Sequence, residues 1–198
     1  MNKIGIFFGT DTGSTRLIAK IIAKKLGDDI ASKPLNVNRI DVEDMLIYDK
    51  LILGTPTYGE GQVPGKSTKV SAGSWEEFLP QLKENDLAGK VVAIYGLGDQ
   101  EKYSERFADG LYQLYSRLRQ YGATIVGDWS TEGYQFEHSQ AVIDGKFVGL
   151  VLDQSNQRLL TEERVDAWLE LIVPALSTKQ AKEAIARNKE QIHSESCL

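Results

Sequence analysis

The sequence has a single cysteine, no long apolar run and no excess of positive charge, and each of these deficits removes a class of protein. Cys197 stands alone among 198 residues, so an intrachain disulfide is excluded and the spacing of a metal–thiolate site is missing. The longest apolar stretches are short, as in Ile4-Gly5-Ile6-Phe7-Phe8 and Leu150-Val151-Leu152, against the roughly 20 residues that a membrane helix needs. The start, Met1-Asn2-Lys3-Ile4-Gly5, lacks the extended apolar segment and small-residue cleavage site of a secretory signal, and a cytoplasmic location is expected. A formal net charge of −5 opposes binding to nucleic acid and suits docking on a basic protein face. What is present, 41% hydrophobic and 26% charged residues, is the composition of one globular domain with a well-buried core. That domain is expected over residues 1 to 178, followed by a solvent-facing tail from 179 to 198.

Apolar spacing alternates between strand and helix along the chain. Residues 3 to 8 read as a strand, and Leu17, Ile18, Ile21, Ile22 and Leu26 as a helix ending at a left-handed Gly27 cap. A strand near Leu35 to Val37, an acidic helical turn near Asp44 and a strand at Leu51 to Leu53 follow. A loop rich in Gly, Ser and Thr then runs to Ser74, which with Glu77 has the capping-box spacing for a helix reaching Asn85. Val91 to Tyr95 forms the fourth strand, and Phe107, Leu111, Leu114, Leu118 and Tyr121 repeat at helical spacing up to Gly122. The fifth strand begins at Ala123, is interrupted by a polar, aromatic insertion containing the hairpin signal Asp144-Gly145, and resumes at Leu150. Thr161 is expected to cap a last helix with Val165, Trp168, Leu169 and Ile172 inward. Strands alternating with helices imply an α/β, doubly wound, parallel sheet, because parallel neighbours need long right-handed crossovers. Ligands of such sheets sit outside the carboxyl ends of the strands, which directs attention to three loops.

The first, Thr10-Asp11-Thr12-Gly13-Ser14-Thr15, lies between strand one and helix one. Its hydroxyls and the unspent amides of a helix N-terminus can all donate to a phosphate, and Gly13 allows close backbone approach. A nucleotide triphosphatase would need Gly-Lys-Ser/Thr here; the loop lacks it, which points to a monophosphate. The second loop, Thr55-Pro56-Thr57-Tyr58-Gly59-Glu60-Gly61, and the third, Gly96-Leu97-Gly98-Asp99-Gln100-Glu101-Lys102-Tyr103, each present one tyrosine. Two aromatics from neighbouring strand ends can enclose a flat ring. Glu105 and Asp109 read as ordinary solvated surface, Tyr134 and Phe136 as residues that pack the insertion on the sheet or else form a docking surface, with packing favoured, and His138 and His193 have no catalytic partner by spacing.

These three loops resemble those of flavodoxins, in order and at the right strand ends, over about residues 3 to 176. The insertion at 127 to 148 resembles that of the long-chain subclass, and residues 65 to 74 with Leu35-Asn36-Val37-Asn38-Arg39 resemble flavodoxins of nitrogen-fixing bacteria. The resemblance implies a five-stranded sheet of order 2-1-3-4-5 and a non-enzymatic, monomeric one-electron carrier holding FMN without a covalent bond. It further implies a ferredoxin/flavodoxin reductase-type donor and nitrogenase as acceptor. By the same resemblance Thr10, Asp11, Thr12, Gly13, Ser14 and Thr15 bind the phosphate, while Tyr58 and Tyr103 flank the isoalloxazine. Pro56, Thr57, Gly59, Glu60, Gly61, Leu97, Gly98 and Asp99 line the ring, and Asp153 lies near the ligand or only caps the sheet edge. Tyr58 stands where many relatives carry Trp. The Gly59–Glu60 peptide is expected to flip on one-electron reduction. One rival, an FMN-dependent NAD(P)H:quinone reductase, needs a second nucleotide site, and no second glycine-rich loop is evident. Another, a response-regulator-like module, needs an acidic pair after strand one and an aspartate ending strand three, where this chain has Gly9-Thr10-Asp11 and Gly54-Thr55.

Overall fold

The apolar run at the N-terminus is buried on both of its faces, as a central parallel strand must be. In the computed structural model, which describes residues 3–10 and 13–176, β1 (Gly5–Phe8) is buried throughout. The expectations for the tail, His193 and Cys197, and for Asp11 and Thr12, lie outside the described residues. Helix α1 (Ser14–Leu26) comes next and buries Ile18, Ala19, Ile22 and Leu26 at helical spacing. Gly27 ends it with its N–H on the Ala23 carbonyl, but φ 83° and ψ 155° make it an extended glycine rather than the expected left-handed cap. The chain continues through β2 (Leu35–Asn36), the acidic turn α2 (Val42–Leu46) and β3 (Lys50–Pro56). Next come α3 (Trp75–Phe78), β4 (Val91–Leu97), α4 (Asp109–Gln120) and β5 (Thr124–Val126).

The sheet has the order β2-β1-β3-β4-β5, all neighbours parallel. Strand five is split, as the broken apolar pattern suggested. β5 pairs with Val91–Ala93 of β4, and β9 (Leu150–Leu152) pairs with Tyr95–Leu97 further along the same edge. Between them the insertion folds on itself as a three-stranded antiparallel sheet, with β6 (Trp129–Ser130) and β7 (Val142–Ile143) on either side of β8 (Lys146–Phe147). Asp144 and Gly145 turn β7 into β8 with φ of 51° and 78°, the two positive values that a type I′ turn demands.

Each face of the sheet carries its own core. Ile6, Phe8, Ile52, Ala93 and Tyr95 pack under α1 and α5 (Thr161–Leu176). On the other side Phe7, Leu51, Leu53, Val92 and Ile94 meet Trp75, Phe78 and the α4 stripe Leu111, Leu114, Leu118. Among the described residues, no helix is long and apolar enough to cross a membrane.

Several boundaries differ from the sequence expectation. α3 is one turn, passing into a 3-10 turn over Leu79–Gln81, instead of reaching Asn85. Pro80 has no N–H to extend the ladder. β3 and β4 run on to Pro56 and Leu97, which pair with each other. Pro56 is tolerated because β1 stops pairing at Gly54, so no ladder donor is needed beyond it. Thr161 is already helical at φ −59° and ψ −50°, and its hydroxyl accepts from the Gln154 side chain instead of capping α5.

Candidate functional site

The three loops converge because their strands end level with one another. Phe8 of β1 lies beside Gly54 of β3, the Gly9 amide donates to the Gly54 carbonyl at 3.0 Å, and Pro56 pairs with Leu97. The chain reverses its winding direction between β1 and β3, and a crevice opens there at the carboxyl edge of such sheets.

The loop after β1 is built to receive an anion. Gly13 holds φ 93°, which L side chains rarely adopt, and turns the chain directly into α1. Among the described residues no side chain caps this helix, and no acidic residue stands in its first turn. The first ladder bond is Leu17 N–H to the Gly13 carbonyl at 3.0 Å, so the amides of Ser14, Thr15 and Arg16 precede the ladder. Thr10 is buried and accepts from the Gly13 amide at 3.2 Å, keeping its own hydroxyl proton for donation. Asn36 reaches the Thr10 carbonyl at 3.5 Å. Ser14 is exposed, whereas Thr15 is fully buried with an Oγ1 that has no hydrogen-bond partner. A buried hydroxyl without a partner, next to amides that precede the ladder, fits a phosphate, which would supply the missing acceptor.

The loop after β3 makes a tight turn. The Tyr58 carbonyl accepts from the amides of Gly61 (3.1 Å) and Gln62 (2.7 Å), and the Tyr58 amide donates to the Gln62 carbonyl at 2.9 Å. Gly59 and Glu60 form its tip, with Gly59 at φ 50°. Thr57 accepts from the Gly110 amide of α4 at 3.1 Å, and Glu60 pairs with Arg106, which ties this loop to the one after β4. Tyr58 is half-buried, and its hydroxyl is without a partner. In the loop after β4, the Gly98 amide donates to the Leu152 carbonyl at 3.2 Å and the Tyr103 amide to the Asp99 carbonyl at 2.9 Å. The Tyr103 ring is 49% exposed, open to cover a flat ligand, with Lys102 Nζ 5.2 Å from its centroid.

The two aspartates at this edge have different tasks. Burial opposes ionisation of Asp99, but donors from the Lys102 amide (2.9 Å) and Asn156 Nδ2 (3.0 Å) outweigh it and hold its carboxyl below the usual range. Asp153 is buried and accepts from the amides of Gln100, Ser155 and Asn156 and from Asn156 Nδ2, at 2.8 to 3.1 Å. Its carboxylate ties β9 to the β4 loop, which favours the sheet-edge role over ligand contact.

Sequence reasoning misjudged Asp109. It is 1% exposed, backs against Gly61, and binds the Gln140 amide (2.7 Å) and side chain (3.2 Å). Burial raises its pKa above the ordinary carboxylate value, with the Gln140 amide opposing. The folded chain therefore holds this proton more tightly than the unfolded chain, and the associated stability is lost as pH rises through the folded pKa. The expected outcome for Asp109→Asn is a thermal midpoint that gains on the parent as pH rises from the ordinary carboxylate value through the raised folded one. Melting curves of the apoprotein over a rising pH series check it; a gain that shrinks with pH would contradict the burial argument.

Tyr134 and Phe136 pack as expected, against Phe107 and Phe147 at 5.2 to 5.8 Å between ring centroids. Burial pushes the Tyr134 phenol up to about 12; its hydroxyl reaches the Val151 carbonyl and fixes the insertion to β9. Tyr95, Arg106 and Asn156 were not legible as site residues, since their partners lie far away in the chain. Among the described residues, no group of three or more His, Cys, Asp or Glu could hold a metal ion.

Fold and site together define a doubly wound domain with a glycine-led helix N-terminus at its switch point and two tyrosine-bearing loops beside it. The chain belongs to the flavodoxin family, whose model matches residues 6–168. It is 51% identical over 177 residues to a flavodoxin of Enterobacter agglomerans, covering 89% of this chain and 99% of that one. A flavodoxin of Klebsiella pneumoniae is 49% identical over 172 residues, with 87% and 97% covered. Among solved structures, Fusobacterium nucleatum flavodoxin bound to flavin mononucleotide superposes with a TM-score of 0.77 at 38% identity, covering 87% of this chain and 97% of that one. Flavodoxins are themselves the standard example of ligand binding at this switch point.

Proposed function

We propose that this protein is a low-potential one-electron carrier that holds FMN non-covalently in the crevice between the three loops. The observation that carries the reading is the fully buried Thr15 hydroxyl, unpartnered in the first turn of α1. Thr10, Ser14, Thr15 and the amides of α1 hold the phosphate, with Asp11 and Thr12 completing the loop. Tyr58 and Tyr103 cover the ring system, and the backbone of Gly98 and Asp99 meets its polar edge. FMN supplies the one-electron chemistry when bound, and the chain sets how easily each electron enters. Gly59 accommodates reorientation of the Gly59–Glu60 peptide, whose carbonyl would then be placed to accept a hydrogen bond from bound FMN. Glu60, Asp99 and Glu101 disfavour further negative charge, which lowers the second potential.

A carrier of this kind is a cytoplasmic monomer that docks transiently on other redox proteins. Residues 65 to 74 support a more specific pairing, with a reductase-type donor and nitrogenase as acceptor. In an anaerobic reductive titration, the purified yellow protein is expected to pause at a one-electron-reduced stage and to release FMN on denaturation. Gly59→Val, whose side chain would meet Gln62 Oε1 at 2.4 Å and need φ 50°, should shorten that stage. Direct two-electron bleaching by NADPH alone would favour the quinone-reductase reading, and a colourless protein that takes up no FMN would refute both.

A further inference from the structure

We infer that Tyr95 is a positioning residue for the phosphate end of the cofactor site, acting through the first turn of α1; this rests on the FMN reading above. Tyr95 is completely buried in β4, and its hydroxyl donates to the Thr15 carbonyl at 2.9 Å, across 80 residues of sequence. The ring passes directly over Gly54 of the intervening strand, where a Cβ would stand 2.0 Å from Cζ. Burial raises the phenol far above its ordinary pKa, so it remains a neutral donor at every working pH.

The atom it grips explains the role. The Thr15 carbonyl and the Arg16 amide belong to one rigid peptide plane. In a helix the carbonyl points along the axis toward the C-terminus and the amide toward the N-terminus, where the phosphate lies. A hydrogen bond on the carbonyl fixes that plane and polarises the amide on its other side, making it a stronger donor. Among the described residues no side chain caps α1 and its first turn has no carboxylate, so the tyrosine adds a side-chain tie to what the helix ladder itself supplies. The strut itself is braced: the Gly54 carbonyl accepts both the Trp75 indole N–H (2.8 Å) and the Gly9 amide (3.0 Å), locking β3 beneath the ring.

A strut confined to α1 predicts an effect confined to the phosphate. Tyr95→Phe removes one oxygen and keeps the ring volume that fills the core. Titration of the apoprotein with FMN and with riboflavin, read by flavin fluorescence, is expected to show FMN binding weakened about fivefold and riboflavin binding unchanged. Inorganic phosphate should also raise the melting temperature of the Tyr95→Phe apoprotein less than that of the parent, a readout that needs no flavin. Unchanged FMN affinity would overturn the inference, as would equal weakening of FMN and riboflavin, which marks a general loss of packing. If the parent itself does not prefer FMN to riboflavin and gains nothing from phosphate, the cofactor reading fails first and takes this inference with it.

Discussion

Gly54→Ala is expected to destabilise the protein by about 3 kcal/mol, the upper end of what overpacking a core costs. The added methyl would sit 2.0 Å from Tyr95 Cζ, 2.3 Å from Oη and 2.5 Å from Cε1. β3 cannot retreat, because it is hydrogen-bonded to β1 on one side and β4 on the other, and its Gly54 carbonyl is held by Trp75 and Gly9. The ring must therefore leave, and the contact with Thr15 goes with it. A chain of this size loses about 2–4 °C of melting temperature per kcal/mol, so a fall of roughly 6–12 °C is expected. Because the two side chains compete for one space, the penalties of Gly54→Ala and Tyr95→Ala should not add. The double variant should be more stable than the sum of the single losses requires. Urea denaturation of the four apoproteins measures this; additive penalties would show that the clash relaxes elsewhere. Gly54→Ala should also weaken FMN more than riboflavin, since the displaced ring no longer anchors α1.

The same residues show what could be read from the chain and what could not. β1 and β3 are legible because strands buried on both faces need continuous apolar runs, and 5-Gly-Ile-Phe-Phe-8 and 51-Leu-Ile-Leu-53 supply them. α1 is legible from the spacing of Ile18, Ile22 and Leu26, and the split of strand five from the break between Val126 and Leu150. The loops stand out by composition, one by Gly13 and its hydroxyls, the others by Tyr58 and Tyr103. Roles set by distant partners leave no such trace. Asp109 looks like a surface acid until Gln140, 31 residues on, arrives to bind it. Asp153 reads either as a neighbour of the ligand or as a cap on the sheet edge, and nothing local shows that Gln100 and Asn156 will bind its oxygens. Tyr95 reads as one more aromatic in an apolar strand, because nothing local says that its hydroxyl will reach α1 past a glycine of another strand. Helix ends escape the pattern where one local atom decides them, such as the missing N–H of Pro80.

Thr15→Val should move stability and function in opposite directions, and this opposition is the sharpest test of the phosphate site. In the apoprotein the Thr15 hydroxyl is fully buried with no partner, a state that costs about 1–3 kcal/mol. Valine has nearly the same shape and no unsatisfied atom. The apoprotein of the variant should therefore melt higher, by about 2–4 °C for each kcal/mol recovered. FMN binding should weaken at the same time, because a hydrogen bond to a charged acceptor contributes about 1.5–3 kcal/mol, equivalent to roughly tenfold to a hundredfold in the dissociation constant. Riboflavin, lacking the phosphate, should bind the variant and the parent alike. A hydroxyl kept unsatisfied so that a phosphate can satisfy it must give, on removal, a stabilised apoprotein with poor FMN affinity. A variant that melts lower, or binds FMN within about twofold of the parent, would mean that Thr15 fills space in the first turn of α1 and that the phosphate is held by the amides alone.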